Sequence, residues 1–361
     1  LFNTNNLFKH ITISMNYLSG KHMYKNKIFD ENNVLSKDNT QKNICKYDWE
    51  TDEILKIHNL PLMDLLFTSH NVHRQFHKKM NVQLASLLNI KTGGCPEDCK
   101  YCSQSAHYAK KTGLEKKNLM KVDEIIRQAE IAKKNGANRF CIGTAWRKIS
   151  NGEDFKNILT VIKKIRKLNM EACATLGMIN QSQANDLASV GLSAYNHNLD
   201  TSPEFYGQII TTRTFSERLE TLKFIRNAGI DICSGGIIGL GESIRDRARL
   251  IQILASLKPH PESVPINALV PVKGTPLENN KPVESIELIR MIATARVVMP
   301  KTRIRLSAGR KNLTKEAQII CFYAGANSIF YGDKLLTTKN NNENDDLKLL
   351  KEIGLEIAEN N

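Results

Sequence analysis

The chain is 361 residues long, 41% apolar, and carries a formal net charge of +14 from Lys+Arg 51 against Asp+Glu 37. That apolar share supports a sizeable core, and the absence of any run of 18 apolar residues argues against a membrane span. The positive excess is spread as lysine over helical stretches such as Lys133-Lys134 and Lys163-Lys164, with no Arg-rich or aromatic-basic block, which speaks against a nucleic-acid-binding module.

Residues 1–46 are rich in Asn and Lys, hold no acid before Asp30, and precede the first arginine of the chain, Arg74. The missing acids suit a mitochondrial presequence, whereas the missing arginines do not. The segment is expected to be disordered, or to lie ahead of the true start, with Met15 or Met23 nearer to it. A cytoplasmic location is expected, and a mitochondrial one is the alternative. The 8 Cys, in a chain of this size without a secretory signal, read as reduced thiols serving metal or catalysis.

From Asp48 the pattern becomes orderly. Apolar spacing over 52–58 and 61–76 predicts two helices. His70, His73 and His77 fall on one face of the second, and with no Cys or carboxylate partner nearby they read as a polar helix face. Short β-rich runs then alternate with amphipathic stretches. Strands are predicted at 82–88, 139–144, 171–176, 194–199, 231–238, 264–270, 303–307 and 328–331. Helices between them include 122–134, 155–168, 215–228, 244–257 and 284–298. Gly136, Gly191, Gly229 and Gly325 sit where helix ends want a left-handed cap. Eight strand–helix units predict a closed (β/α)8 barrel over 47–338, with a doubly wound open sheet as runner-up. Residues 339–361 read as a polar tail with a short helix.

The first strand runs into Lys91-Thr-Gly-Gly-Cys95-Pro-Glu-Asp-Cys99-Lys-Tyr-Cys102, three thiols spaced C-x3-C-x2-C. Soft sulfur ligands select iron–sulfur, zinc or Cu(I). Three thiolates without an obvious fourth suit a [4Fe-4S] cluster with one open iron; a structural zinc with His107 as fourth ligand is the rival. Barrel enzymes place their chemistry on the loops after the strands, where this loop lies. Cys141, Cys173 and Cys233 fall on strands two, three and five. Singly each reads as a small core residue; together they could converge on the barrel axis. Asn196, Asn198 and Asp200 alternate along one strand face.

The cysteine loop, with Tyr101 before its last Cys, resembles the signature of radical S-adenosylmethionine (SAM) enzymes. The stretches Leu87-Leu-Asn-Ile-Lys-Thr-Gly-Gly-Cys95-Pro-Glu-Asp-Cys99-Lys-Tyr-Cys102, Arg139-Phe-Cys-Ile-Gly143, Glu171-Ala-Cys-Ala-Thr-Leu-Gly177, Tyr195-Asn-His-Asn-Leu-Asp200-Thr-Ser-Pro-Glu-Phe-Tyr206, Cys233-Ser-Gly-Gly-Ile-Ile-Gly-Leu-Gly-Glu242 and Arg305-Leu-Ser-Ala-Gly-Arg310 together resemble the biotin synthase family. That resemblance implies conversion of dethiobiotin to biotin by radical sulfur insertion. It implies that Cys95, Cys99 and Cys102 hold a [4Fe-4S] cluster whose open iron binds SAM. It assigns Cys141, Cys173, Cys233 and Arg305 to a [2Fe-2S] cluster, although a guanidinium is normally a donor without acceptor capacity. Asn196 and Asn198 match residues near dethiobiotin, and Asp200 one near the SAM ribose. Tyr101, Gly235 and Gly236 are further expected in the cofactor site, the glycines because they permit close backbone approach. A flavodoxin- or ferredoxin-type electron donor and a homodimer are implied by the resemblance alone. Ser103 and Thr144 depart from residues common in the family. Lipoyl synthase would be expected to carry a second Cys-rich motif near its N-terminus, and only Cys45 precedes Cys95.

Overall fold

The computed structural model describes residues 45–359, apart from 78, 333, 334 and 339; the expectations for residues 1–44 lie outside the described residues. Two helices, α1 (Thr51–His58) and α2 (Leu62–Phe76), come first. The parallel strands follow: β1 (Asn81–Lys91), β2 (Arg139–Thr144), β3 (Glu171–Thr175), β4 (Ala194–Asn196), β5 (Asp231–Cys233), β6 (Gly236–Ile238), β7 (Ser263–Ala268), β8 (Arg303–Leu306) and β9 (Ser328–Phe330). They are hydrogen-bonded in the order β1-β2-β3-β4-β5-β7-β8-β9, and β9 pairs back onto β1 to close the barrel. Eight staves result, because β5 and β6 are two halves of one.

The helices of the outer layer are α3 (Val122–Lys134), α4 (Glu153–Lys167), α5 (Gln181–Ser189), α6 (Pro203–Ile209), α7 (Phe215–Asn227), α8 (Ile244–Ser256), α9 (Ser285–Val298) and α10 (Lys315–Tyr323). Several start on reciprocal caps. Thr214 with Glu217, Ser243 with Asp246 and Asn180 with Gln183 each satisfy two backbone donors that a helix start leaves free.

Strand periodicity sorts the barrel wall into two faces. Phe140, Ile142, Ala172 and Ala174 turn outward into the main apolar layer against the helices. Ala85, Cys141, Cys173 and Ala194 turn inward and form a separate small cluster with Leu87 and Phe330. The thiols of β2 and β3 therefore face the axis, a point strand alternation alone left open.

The predicted stave 231–238 is interrupted at Ser234-Gly235. A side chain on Gly235 would strike the Pro265 carbonyl at 1.9 Å, so only glycine lets the chain pass this close to β7. The Gly235 carbonyl accepts from Leu199 and Asp200 rather than from a regular ladder partner.

Two further stretches pack more closely than their sequence pattern shows. The histidine face of α2 is not solvent-facing, because α2 packs along α9. His73 is buried, His77 reaches the Pro300 carbonyl and the Arg296 guanidinium, and His70 stacks on Tyr323. The C-terminal stretch carries the expected helix, α11 (Glu343–Glu352), and also a strand, β10 (Glu356–Ile357), which pairs with β1. Asp346 of α11 forms a fully buried bidentate pair with Arg310, both side chains 1% exposed. Among the described residues no helix is long and apolar enough to cross a membrane.

Candidate active site

The barrel mouth opens on a cavity of about 330 Å³ lined by thiols of both sets. The loop after β1 brings in Cys95, Cys99 and Cys102; the strands bring in Cys141 and Cys173; Arg305, Asn196, Asn198, Asp200 and Tyr101 also line it. Cys233 stands just behind this lining, buried and bonded to its neighbours. Gly235 and Gly236 are not among the lining residues; their bare faces meet Pro265, Leu250 and Asp200.

The first trio sits on a loop pinned from outside. Cys95 pairs with Ser105 in a short parallel bridge, the Ala106 amide donates to the Cys95 carbonyl at 2.7 Å, and the Ser105 hydroxyl donates to Glu97 O at 2.6 Å. Glu97 is ion-paired with Arg147, and the Asp98 carboxylate accepts from the Thr211 and Thr212 amides. Burial pushes all three thiols up, Cys102 to about 11, so ionising them requires a bound cation or cluster. His107 turns Nε2 to the Pro96 carbonyl at 3.1 Å, an arrangement that offers zinc no fourth ligand from that nitrogen. Among the described residues no three His, Cys, Asp or Glu side chains are gathered for a single metal ion. A polynuclear cluster distributes its thiolates over several irons and does not need that convergence.

The second set is held by strand register. Cys141 stands opposite Cys173, and Cys233 opposite Asn196 two residues further along the wall, since Cys173 pairs with Ala194. The three thiols are linked by hydrogen bonds through Cys173. Within that pair Cys141 is the easier to ionise, because Cys173 donates to it, and Cys173 is pushed up to about 12 by the same bond. The Asn196 amide donates to Cys233 Sγ at 3.3 Å. Arg305, 1% exposed, donates from Nε to Ser328 Oγ at 2.9 Å and from Nη2 to Gln83 Oε1 at 3.0 Å. This leaves Nη1 aimed at Cys233 Sγ, 3.9 Å away. No acid forms an ion pair with Arg305 among the described residues; Glu171 is occupied by Arg139 and Gln83. The donor chemistry fits two thiolate-bound clusters, one on the loop and one in the wall.

Between the sets, Asp200 is 2% exposed with φ +68°. Its Oδ2 accepts from Tyr101 Oη at 2.8 Å and from Arg218, which also holds Tyr206 Oη and the Asn198 carbonyl. Asn198 Oδ1 accepts from the Gly235 amide at 3.1 Å, and Asn196 Oδ1 from Thr175. Tyr206, on α6, closes a stretch that carried the family resemblance, whereas Arg218, on α7, carried no sequence signal of its own; an arginine in a helix reads as a surface residue until its partner is seen. Ser103 and Thr144 both line the cavity, Ser103 bonded to Thr337 and Thr144 to the Thr175 carbonyl.

Comparison with known proteins agrees with this geometry. Residues 89–254 match the Radical SAM superfamily, and residues 265–356 the Biotin and Thiamin Synthesis associated domain. Biotin synthase of Methylorubrum extorquens (strain PA1) is 57% identical over 314 residues, 87% of this chain and 93% of the relative. That of Prochlorococcus marinus subsp. pastoris is 55% identical over 322 residues, 89% of this chain and 95% of the relative. Among solved structures, methylornithine synthase superposes with a TM-score of 0.72 at 16% identity, covering 86% of this chain and 94% of its own, which speaks to the fold alone. With the three loop thiols and two wall thiols lining one barrel mouth and 55–57% identity to such relatives over the aligned span, the chain belongs to the biotin synthase family of radical SAM proteins.

Proposed function

We propose that this chain makes biotin from dethiobiotin, with Cys95, Cys99 and Cys102 holding the [4Fe-4S] cluster and Cys141, Cys173, Cys233 and Arg305 holding a [2Fe-2S] cluster. The observation that carries this reading is one cavity bordered by the three loop thiols and by Cys141 and Cys173 of the wall, with Cys233 buried behind them. When bound, the first group supplies an electron for reductive cleavage of SAM to a 5′-deoxyadenosyl radical, and the second supplies sulfur to dethiobiotin.

The chain's own residues position, shield and hold. Unactivated C–H bonds offer nothing to an acid or base, so the protein contributes binding and exclusion of water while the cofactor carries the hard step. Asp200 is fixed by Tyr101 and Arg218 through one oxygen, and its other oxygen is placed to accept from the paired hydroxyls of a ribose. Asn198 spends its carbonyl on Gly235 and keeps its amide nitrogen for the ureido oxygen of dethiobiotin. Asn196 is tied to Thr175 and Cys233 and spaces the substrate from the wall thiols. Gly235 and Gly236 serve by letting the chain behind Asp200 pass close to β7. Gln83 and Ser328 turn Arg305 toward Cys233.

A flavodoxin- or ferredoxin-type carrier as electron donor, a homodimer and a cytoplasmic location complete the proposal; these rest on the family, and the eight free thiols suit a reducing compartment. The test is a strictly anaerobic reaction of reconstituted protein with SAM, a reductant and dethiobiotin, read by mass spectrometry. Biotin together with 5′-deoxyadenosine is expected. 5′-Deoxyadenosine without biotin, in protein with both clusters verified, would reject the substrate; zinc in place of iron, with neither product, would reject the reading.

A further inference from the structure

Reductive cleavage of SAM needs one electron per event from outside the chain, and the outer edge of the Cys95 loop is covered by one segment. Residues 106–121 are hydrogen-bonded along it. Ala106 donates to Cys95 O, Lys117 to Thr92 O and Met120 to Ile90 O, at 2.7, 2.9 and 2.9 Å. Tyr108 Oη donates to Asp98 O at 2.6 Å, and the Lys116 stem lies over Gly94. The segment is therefore a fixed rim, held against the cluster loop.

Its charge is one-sided. Lys110, Lys111, Lys116, Lys117 and Lys121 are exposed, and Glu115 is the only acid among residues 106–121. None of these five lysines makes a side-chain hydrogen bond or ion pair among the described residues; the same holds for Lys133, Lys134 and Lys163 on the outer helices, and what sets the rim apart is that five such lysines share one short segment against the cluster loop. Of the neighbouring acids, Glu97 is buried on Arg147, while Asp98, held by Thr211 and Thr212, keeps its charge; with Glu115 it still leaves the strip positive, five lysines to two acids. Lys273 stands beside it where Gly274 packs on the Lys111 backbone, and Glu278, accepting from the Gly274 amide, offsets that charge.

We propose that the 106–121 rim is the docking surface for an acidic one-electron carrier protein, whose negative face the unpaired lysines steer onto the cluster loop. Charge complementarity of this kind sets association rate and orientation more than affinity, and it fades with salt. One electron leaves the carrier and one enters the bound cluster; no covalent bond changes in that step. The inference rests on the cluster being held by Cys95, Cys99 and Cys102.

The test uses the reconstituted holoenzyme with SAM bound and a purified flavodoxin in its hydroquinone form, whose oxidation to semiquinone is followed by anaerobic stopped flow. In the triple variant Lys110→Glu/Lys111→Glu/Lys117→Glu the second-order rate is expected to fall about tenfold or more at low ionic strength. The gap should narrow at about 0.5 M salt, where screening acts within roughly 4 Å. A matching reversal at the far end of the barrel, Lys133→Glu/Lys134→Glu, should leave the rate within about twofold. Dithionite, a small reductant that needs no docking face, should drive 5′-deoxyadenosine formation equally in all three proteins, which also shows that they are folded and loaded. Equal flavodoxin rates in the triple variant and the parent would overturn the proposal. So would retention on an RNA or anionic-vesicle support that the reversal abolishes while flavodoxin rates stay unchanged, which would assign the strip to a polyanion. Failure of dithionite to yield 5′-deoxyadenosine in the parent would instead reject the cluster assignment beneath it.

Discussion

The two thiol sets are built by opposite means. Cys95, Cys99 and Cys102 lie within eight residues on an irregular loop, and their relative positions are set locally by Pro96, paired glycines and the bonds from residues 105–106. Cys141, Cys173 and Cys233 are spread over nearly a hundred residues and meet only because β2, β3 and β5 are hydrogen-bonded into one wall. A loop set can be recognised from spacing, although its outer edge is tied down by Arg147, Thr211 and Thr212. A wall set exists only in the closed barrel, and its donors are worth nothing singly.

That contrast can be broken first at the loop. Cys95→Ala should reduce both 5′-deoxyadenosine and biotin to background, because the SAM-cleaving centre loses a ligand; chromatography of an anaerobic reaction would show it, and sustained SAM cleavage would refute the loop's role. Cys173→Ala removes the thiol that links the other two in the wall. Biotin should disappear and iron and sulfide content should fall, while 5′-deoxyadenosine still forms. Undiminished biotin with full iron content would mean that the wall thiols are packing residues.

Arg305→Met is a milder perturbation. Three thiols remain, so iron analysis should stay close to the parent, while the visible absorption assigned to the wall cluster shifts and biotin yield falls in part. An unchanged spectrum would place Arg305 outside the ligand set. Asp346→Ala acts on neither set. It leaves Arg310 as a buried unpaired cation, and removing one partner of such a pair typically costs about 3–5 kcal/mol. Denaturant unfolding should register that loss, and the ratio of 5′-deoxyadenosine to biotin should not change. A changed ratio would show that the wall responds to strain from the tail.

The barrel and the loop thiols were legible in the sequence because their signals are local: alternating β and amphipathic runs for the first, C-x3-C-x2-C for the second. The wall thiols were visible only as Cys on three predicted strands, since which way a strand faces depends on register, and register is set by partners far along the chain. Family resemblance, not spacing, singled out Arg305, whose setting by Gln83 and Ser328 is entirely tertiary. The break at Gly235 was missed because the close approach to Pro265 comes from another stave. For the same reason the polar histidine face of α2 gave no sign of its packing partner until α9 was seen against it.

The pairing of Cys141 with Cys173 and of Cys233 with Asn196 has a bearing on how the gene tolerates length changes. Side chains alternate in and out with a period of two, so losing or gaining one residue within β2 or β3 would turn a thiol from the lumen to the helix layer. The segments that enter these strands are consequently frame-sensitive in a way that surface turns such as the one at Gly152 are not. Recombination between relatives, or insertion of a tag, is therefore tolerable in those turns and ruinous one strand away.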